Sequence, residues 1–86
     1  MHVHLPLYAP EHFVNRSRNG DYGACVMAID WSTGAIVDAL KKYELYENTI
    51  IIFTSDNGSR NDFGESNGIL RGGKRETYEG GQRVPF

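Results

Sequence analysis

Thr49-Ile50-Ile51-Ile52-Phe53-Thr54-Ser55-Asp56-Asn57-Gly58 decides how this chain is read. Its front half is β-branched and aromatic with no polar alternation, the pattern of a strand buried on both faces. It ends in Asp-Asn-Gly, three turn formers in a row. A lone strand cannot satisfy its own N–H and C=O groups, so its neighbours must come from elsewhere. Upstream, Tyr22, Val26, Ile29, Ile36, Val37 and Leu40 keep the three-and-four spacing of one helical face, with Asp30, Ser32, Asp38, Lys41 and Lys42 mostly opposite. That spacing predicts an amphipathic helix near Asp21 to Lys42, about 33 Å long. Asn19 or Asp21 can cap its start, and Lys41 and Lys42 suit its negative end. Gly34 inside it costs ~1 kcal/mol against alanine and is expected to mark close packing. A long helix feeding a doubly buried strand is half of an α/β repeat, so the expected fold class is α/β with one long helix and one buried strand.

Downstream the periodicity stops. Seven of the ten glycines fall between Gly58 and Gly81, which makes Asp56 to Arg83 a long glycine-rich loop. Loops of that length in compact proteins are functional or disordered. At the other end, Pro6 biases Leu5 away from helix, so Val3 to Tyr8 reads as strand end and loop. The 86 residues allow one small domain or one piece of a larger one, with no internal boundary. Without a disulfide or structural metal, so loop-rich a chain would be marginal alone.

With 40% apolar and 23% charged residues the composition is globular, and a net charge of -2 without a basic stripe argues against a nucleic-acid partner. Cys25 has no cysteine to pair with and no partner at metal-ligand spacing, so it leaves the compartment unset; on the inner stretch of the helix it reads as a packed thiol. The longest apolar run, Ile50 to Phe53, is far short of a membrane span, and Met1-His2-Val3-His4 does not open a signal peptide.

Several residues carry candidate chemistry. Asp56 and Asn57 follow the strand directly, where ligands gather in open α/β sheets, and their oxygens are hard donors suited to Ca²⁺ or Mg²⁺. An ordinary Asp-Asn-Gly turn is the competing reading. An EF-hand fails, because Gly58 and Arg60 stand where its third and fifth ligands belong. His2 and His4 would share a face if extended, able to hold a metal or meet an anion, or simply solvent-exposed. Gly68 to Lys74 resembles a nucleotide phosphate loop, but Arg75 replaces the serine or threonine and no strand precedes it. A flexible loop presenting Arg71 and Lys74 to an anion remains open beside a solvated basic loop. Glu79 to Pro85 reads as a tight turn with Glu79 and Arg83 paired. Ser55, Ser59 and Ser66 lack a nucleophile elbow. The Asn15-Arg16-Ser17 and Asn57-Gly58-Ser59 glycosylation patterns are too common to weigh.

Taken in order, His4 to Pro6, Tyr22-Gly23 through Ile29-Asp30, Asn48 to Gly58, Leu70-Arg71-Gly72-Gly73-Lys74 and Tyr78-Glu79-Gly80-Gly81 with Arg83-Val84-Pro85 resemble the arylsulfatase-type sulfatases of the alkaline phosphatase superfamily. The resemblance implies an α/β/α sandwich and hydrolysis of sulfate esters. It implies that Asp56 and Asn57 supply two ligands of a divalent cation, usually Ca²⁺. It also gives Lys74 a contact with the sulfate group and His4 a place near the leaving oxygen. Those roles are chemically sensible, since a metal and a lysine neutralise sulfuryl charge and a histidine can protonate a departing alkoxide.

The departures from the family pattern are specific. Its formylglycine nucleophile arises from a C-x-P-x-R type motif, yet Cys25 is followed by Val26-Met27-Ala28-Ile29. The amino-terminal aspartate pair of the metal site is also missing. The chain is therefore expected to be an internal segment of a sulfatase catalytic domain, inactive alone, weak in Ca²⁺ binding, and prone to self-association through unpaired strand edges. Its substrate would be a sulfated small molecule or glycan. The family is typically periplasmic, secreted or lysosomal. A phosphate or phosphonate ester hydrolase of the same superfamily, or a non-catalytic self-associating module, are the alternatives.

Overall fold

The computed structural model of the chain describes residues 4–60 and 67–86, and it divides into two compact units, Met1–Ile50 and Ile51–Phe86. The described residues of the first unit form two α-helices and a 3-10 turn at Tyr46–Asn48. A single turn, α1 (Glu11–Val14), starts where Pro10 fixes φ at -54° and offers its carbonyl to the Phe13 amide at 2.9 Å. The long helix α2 runs Gly20–Lys42, within one residue of the span its periodicity predicts, and Asn19 is its N-cap. It ends in a Schellman motif. The Glu44 amide donates to the Lys41 carbonyl at 3.1 Å and the Leu45 amide to the Leu40 carbonyl at 2.9 Å. Glu44 takes the left-handed position that glycine usually fills, at φ 58°. Lys41 and Lys42 stand in that last turn, over the rings of Tyr46 and Tyr43.

The face that α2 buries is not the one its bulky residues predict. Ala24, Cys25 and Ala28 are buried with Ala9 and Phe13, and Leu7 and Met27 pack against them. Small side chains let the α1 segment approach closely enough for the Cys25 thiol to donate to the Tyr8 carbonyl at 3.3 Å. Cys25 is thus the packed thiol its position implies. Of the expected face, Val26 is 44% and Ile36 59% exposed, while Tyr22, Ile29, Val37 and Leu40 are half-buried. A helix with two apolar faces needs two partners, and this unit supplies one. Gly34, expected to mark close packing, faces open space.

By length and composition α2 is also long and apolar enough to cross a membrane. Asp30 and Asp38 lie inside it, and a charge at a bilayer centre costs ~2.5–3.5 kcal/mol. With one stripe already taken by α1, α2 reads as a packing helix.

The expected buried strand is absent among the described residues, none of which forms a strand. Ile50 is 89% and Ile52 70% exposed. The physical reason is that ladder hydrogen bonds need a second strand, and none of the described residues provides one. The described residues of the second unit are instead loops and, near its end, one helical turn, α3 (Glu79–Gln82), where sequence reading expected only a tight turn. The Glu79–Arg83 pair does form, at 2.7 Å, but both side chains are well exposed and such a pair contributes little.

Candidate functional site

The site residues of the second unit sit on loops stitched together through glycine. The Gly58 amide donates to the Gly81 carbonyl at 2.9 Å, and the Gly80 amide to the Arg71 carbonyl at 2.8 Å. Both contacts require glycine, since a Cβ on Gly58 would strike the Gly80 carbonyl and one on Gly80 would strike the carbonyls of Gly72 and Arg71. The Gly-Gly pair at 80 and 81 therefore acts as a seam to which two earlier loops are fastened. Gly58, Gly73, Gly80 and Gly81 are all buried there.

Asp56 and Asn57 form a bend directly after the apolar run and Thr54-Ser55. Ser55 Oγ donates to the Asn57 carbonyl at 2.8 Å, closing a small side-chain turn around the Asp-Asn pair. Asp56 is exposed and Asn57 half-buried, and neither side chain is engaged by another described residue. Two uncommitted hard oxygen donors, one of them anionic, suit Ca²⁺ or Mg²⁺ in kind. In number they fall short of the about six to eight oxygens that Ca²⁺ takes. No group of three or more His, Cys, Asp or Glu converges among the described residues.

Lys74 is half-buried, and its amide donates to the Ser59 carbonyl at 2.9 Å. That bond brings the lysine loop against the main chain two residues beyond Asn57. Lys74 itself stands at the corner of a four-residue turn in which the Glu76 amide reaches the Gly73 carbonyl at 3.0 Å. Arg75, next in that turn, has φ 79°, the left-handed value that the third position of a type II turn demands. The Glu76 carboxylate closes the turn from inside by accepting from the Gly73 amide at 2.8 Å. The phosphate-loop reading finds no support, because a turn and not a helix follows Lys74. Arg71 is stacked on the Tyr78 ring at 3.8 Å and donates to its hydroxyl at 2.8 Å, so its guanidinium is already engaged.

Asp56, Asn57 and Lys74 are thus brought together on one unit. His4 stands in the other unit, exposed, with Nδ1 3.3 Å from the Leu5 carbonyl. Its proposed partner His2, and Ser66 among the rejected nucleophiles, lie outside the described residues. Sequence reasoning missed Asn67. Its Oδ1 accepts from the Ser59 amide at 3.0 Å and the Ser59 hydroxyl at 2.9 Å, while its Nδ2 donates to the Gly72 carbonyl at 3.0 Å. The one available signal was the Asn67-Gly68 turn dipeptide, which marks a bend and says nothing of what the side chain reaches.

Comparison with known proteins adds what geometry alone does not carry. A family model described as Sulfatase matches residues 1–86. Human steryl-sulfatase is 41% identical over 93 residues, covering 99% of this chain and 16% of that protein. Human arylsulfatase H is 44% identical over 93 residues, again 99% of this chain and 16% of the relative. The N-acetylgalactosamine-6-O-sulfatase of Bacteroides thetaiotaomicron is 38% identical over 96 residues, covering 98% of this chain and 19% of that protein. The chain spans less than a fifth of these relatives. No solved structure matches.

Proposed function

Because the chain belongs to the sulfatase family, we propose that the longer protein carrying these residues hydrolyses sulfate esters, with Asp56, Asn57, Lys74 and His4 as part of its active site. Asp56 and Asn57 supply two oxygen ligands to a Ca²⁺ or Mg²⁺ ion, whose charge neutralises sulfuryl oxygens when it is bound. Lys74 sets a fixed cation beside the same oxygens, and His4 holds or donates a proton at the leaving oxygen. The formylglycine nucleophile belongs to a C-x-P-x-R motif that these residues do not contain. In that longer protein the 49–55 segment takes a place in the sheet of an α/β/α sandwich. The substrate is a sulfated small molecule or glycan.

The observation that carries this reading is the Lys74 to Ser59 hydrogen bond, which holds a cation-bearing turn against the loop that begins with the Asp-Asn pair. The test is turnover of 4-nitrophenyl sulfate and 4-nitrophenyl phosphate by the longer protein. Preference for the sulfate, lost on chelation and reduced at least ~100-fold in Asp56→Ala and Lys74→Ala, is the expected result. Preference for the phosphate would assign the protein to the related phosphoester hydrolases. The 86-residue chain alone is expected to turn over neither, and measurable hydrolysis by it would refute the proposed nucleophile.

A further inference from the structure

We infer that Asn67 is a positioning residue that fixes the distance between the Lys74 loop and the Asp56–Asn57 bend. The inference rests on the reading of Asp56, Asn57 and Lys74 as cation and sulfate ligands. A side-chain amide has two N–H donors and two acceptor lone pairs. In Asn67 all four are spent on the two loops: Oδ1 accepts from the Ser59 amide and the Ser59 hydroxyl, and Nδ2 donates to the Ser59 carbonyl at 3.3 Å and the Gly72 carbonyl at 3.0 Å. Ser59 lies two residues after Asn57, and Gly72 two residues before Lys74. The Ser59 carbonyl that Asn67 contacts is the same one that receives the Lys74 amide.

One uncharged side chain therefore spans the gap between an anionic bend and a cationic turn. It has no remaining hydrogen-bonding capacity for a ligand, so its effect is on the spacing of the residues that have it. That spacing matters because a sulfate group is small, and a cation at Asp56–Asn57 and the ammonium of Lys74 must meet the same oxygens. A misplacement of about 1 Å is enough to weaken such joint recognition. No other residue type reproduces the clip. Aspartate keeps the acceptors but turns lone pairs toward the Ser59 and Gly72 carbonyls, and alanine removes all four bonds.

The test is amide NMR of the longer protein carrying these residues, titrated with CaCl₂ and with methyl sulfate, the simplest sulfate monoester. In the unsubstituted protein, millimolar Ca²⁺ is expected to shift the Asp56 and Asn57 signals. It should also tighten methyl sulfate, read at Lys74, by about tenfold, within the ordinary range of coupling between sites. Asn67→Ala and Asn67→Asp are expected to bring that coupling to about one while the Ca²⁺ shifts at Asp56 and Asn57 persist. Mere loss of stability would weaken both ligands alike and leave their ratio standing. Ser59→Ala deletes one of the four bonds, so it should lower the coupling about two- to threefold with the loops otherwise intact. Full coupling in the Asn67 variants, or in Ser59→Ala should those variants unfold, overturns the inference and leaves the ligand reading in place. If neither Ca²⁺ nor methyl sulfate shifts its expected residues in the unsubstituted protein, the ligand reading fails, and the positioning role falls with it.

Discussion

Gly80→Ala is the substitution that most directly tests the glycine seam. The methyl group it adds would meet the Gly72 and Arg71 carbonyl oxygens, which are main-chain atoms and not the movable end of a side chain. Relief requires the 71–74 segment to retreat. The first bond lost is the one from the Gly80 amide to Arg71, 2.8 Å long. Losing a buried hydrogen bond of this kind costs ~0.5–1.5 kcal/mol, and forcing extra volume into a packed site a further ~1–3 kcal/mol. The sum is about 1.5–4.5 kcal/mol of local stability. At 1.36 kcal/mol per tenfold, amide hydrogen exchange should accelerate by roughly 10- to 2,000-fold. The acceleration should appear together at Gly58, Lys74 and Gly80, because the Gly58–Gly81 and Lys74–Ser59 bonds share the same seam. Exchange confined to Gly80, with Gly58 and Lys74 unchanged, would refute the idea that one seam holds both site loops.

Other consequences are simpler to read. Gly34→Ala makes the same chemical change in the opposite setting, with nothing within 4 Å of the added Cβ. It should raise the midpoint of α2 melting, followed by circular dichroism, by a few degrees for about 0.5–1 kcal/mol gained. Phe13→Ala empties the largest side chain of the buried cluster; a loss of about 3–5 kcal/mol in urea unfolding is expected, and a loss under 1 kcal/mol would deny that α1 is held by that ring. Glu44→Gly should stabilise the end of α2 by about 1 kcal/mol, since a left-handed φ of 58° is strained for glutamate and free for glycine. The chain itself should self-associate through its exposed Ile50, Ile52 and Phe53, so a monomer by light scattering at high concentration would count against that reading.

Legibility in the sequence followed locality. The span of α2 was readable because period and caps lie within the helix, and Gly20–Lys42 matches Asp21 to Lys42 almost residue for residue. Its buried face was not readable by bulk. Hydrophobic size pointed to a face on which Val26 and Ile36 stay exposed, while Ala24, Cys25 and Ala28 meet α1, because close approach selects small side chains. The Ile50–Phe53 signal forms no strand among the described residues, since a ladder is a relation between segments that one segment cannot encode alone. In the site, Asp56 and Asn57 were visible as donors after an apolar run. The tie from Lys74 to Ser59 and the Asn67 clip were not, because loop-to-loop hydrogen bonds leave no period.

That division has a physical consequence for how the segment works. The 56–60 and 67–83 segments hold one another through the Gly58 and Lys74 amides and the Asn67 side chain, contacts made within the second unit. Their geometry is thus set by residues of this chain. The apolar surfaces are the reverse case: the Val26 and Ile36 stripe of α2 and the Ile50–Phe53 segment are left open. Burying a large apolar side chain is worth ~1.5–3 kcal/mol, so covering these six residues would contribute about 9–18 kcal/mol. The geometry of these loops is therefore written locally, while stability depends on whatever surface covers the helix stripe and the Ile50–Phe53 segment. A substitution at Val26 or Ile52 should consequently leave the internal packing of the isolated chain almost unchanged and weaken the longer protein, whereas one at Asn67 or Gly80 should disturb both.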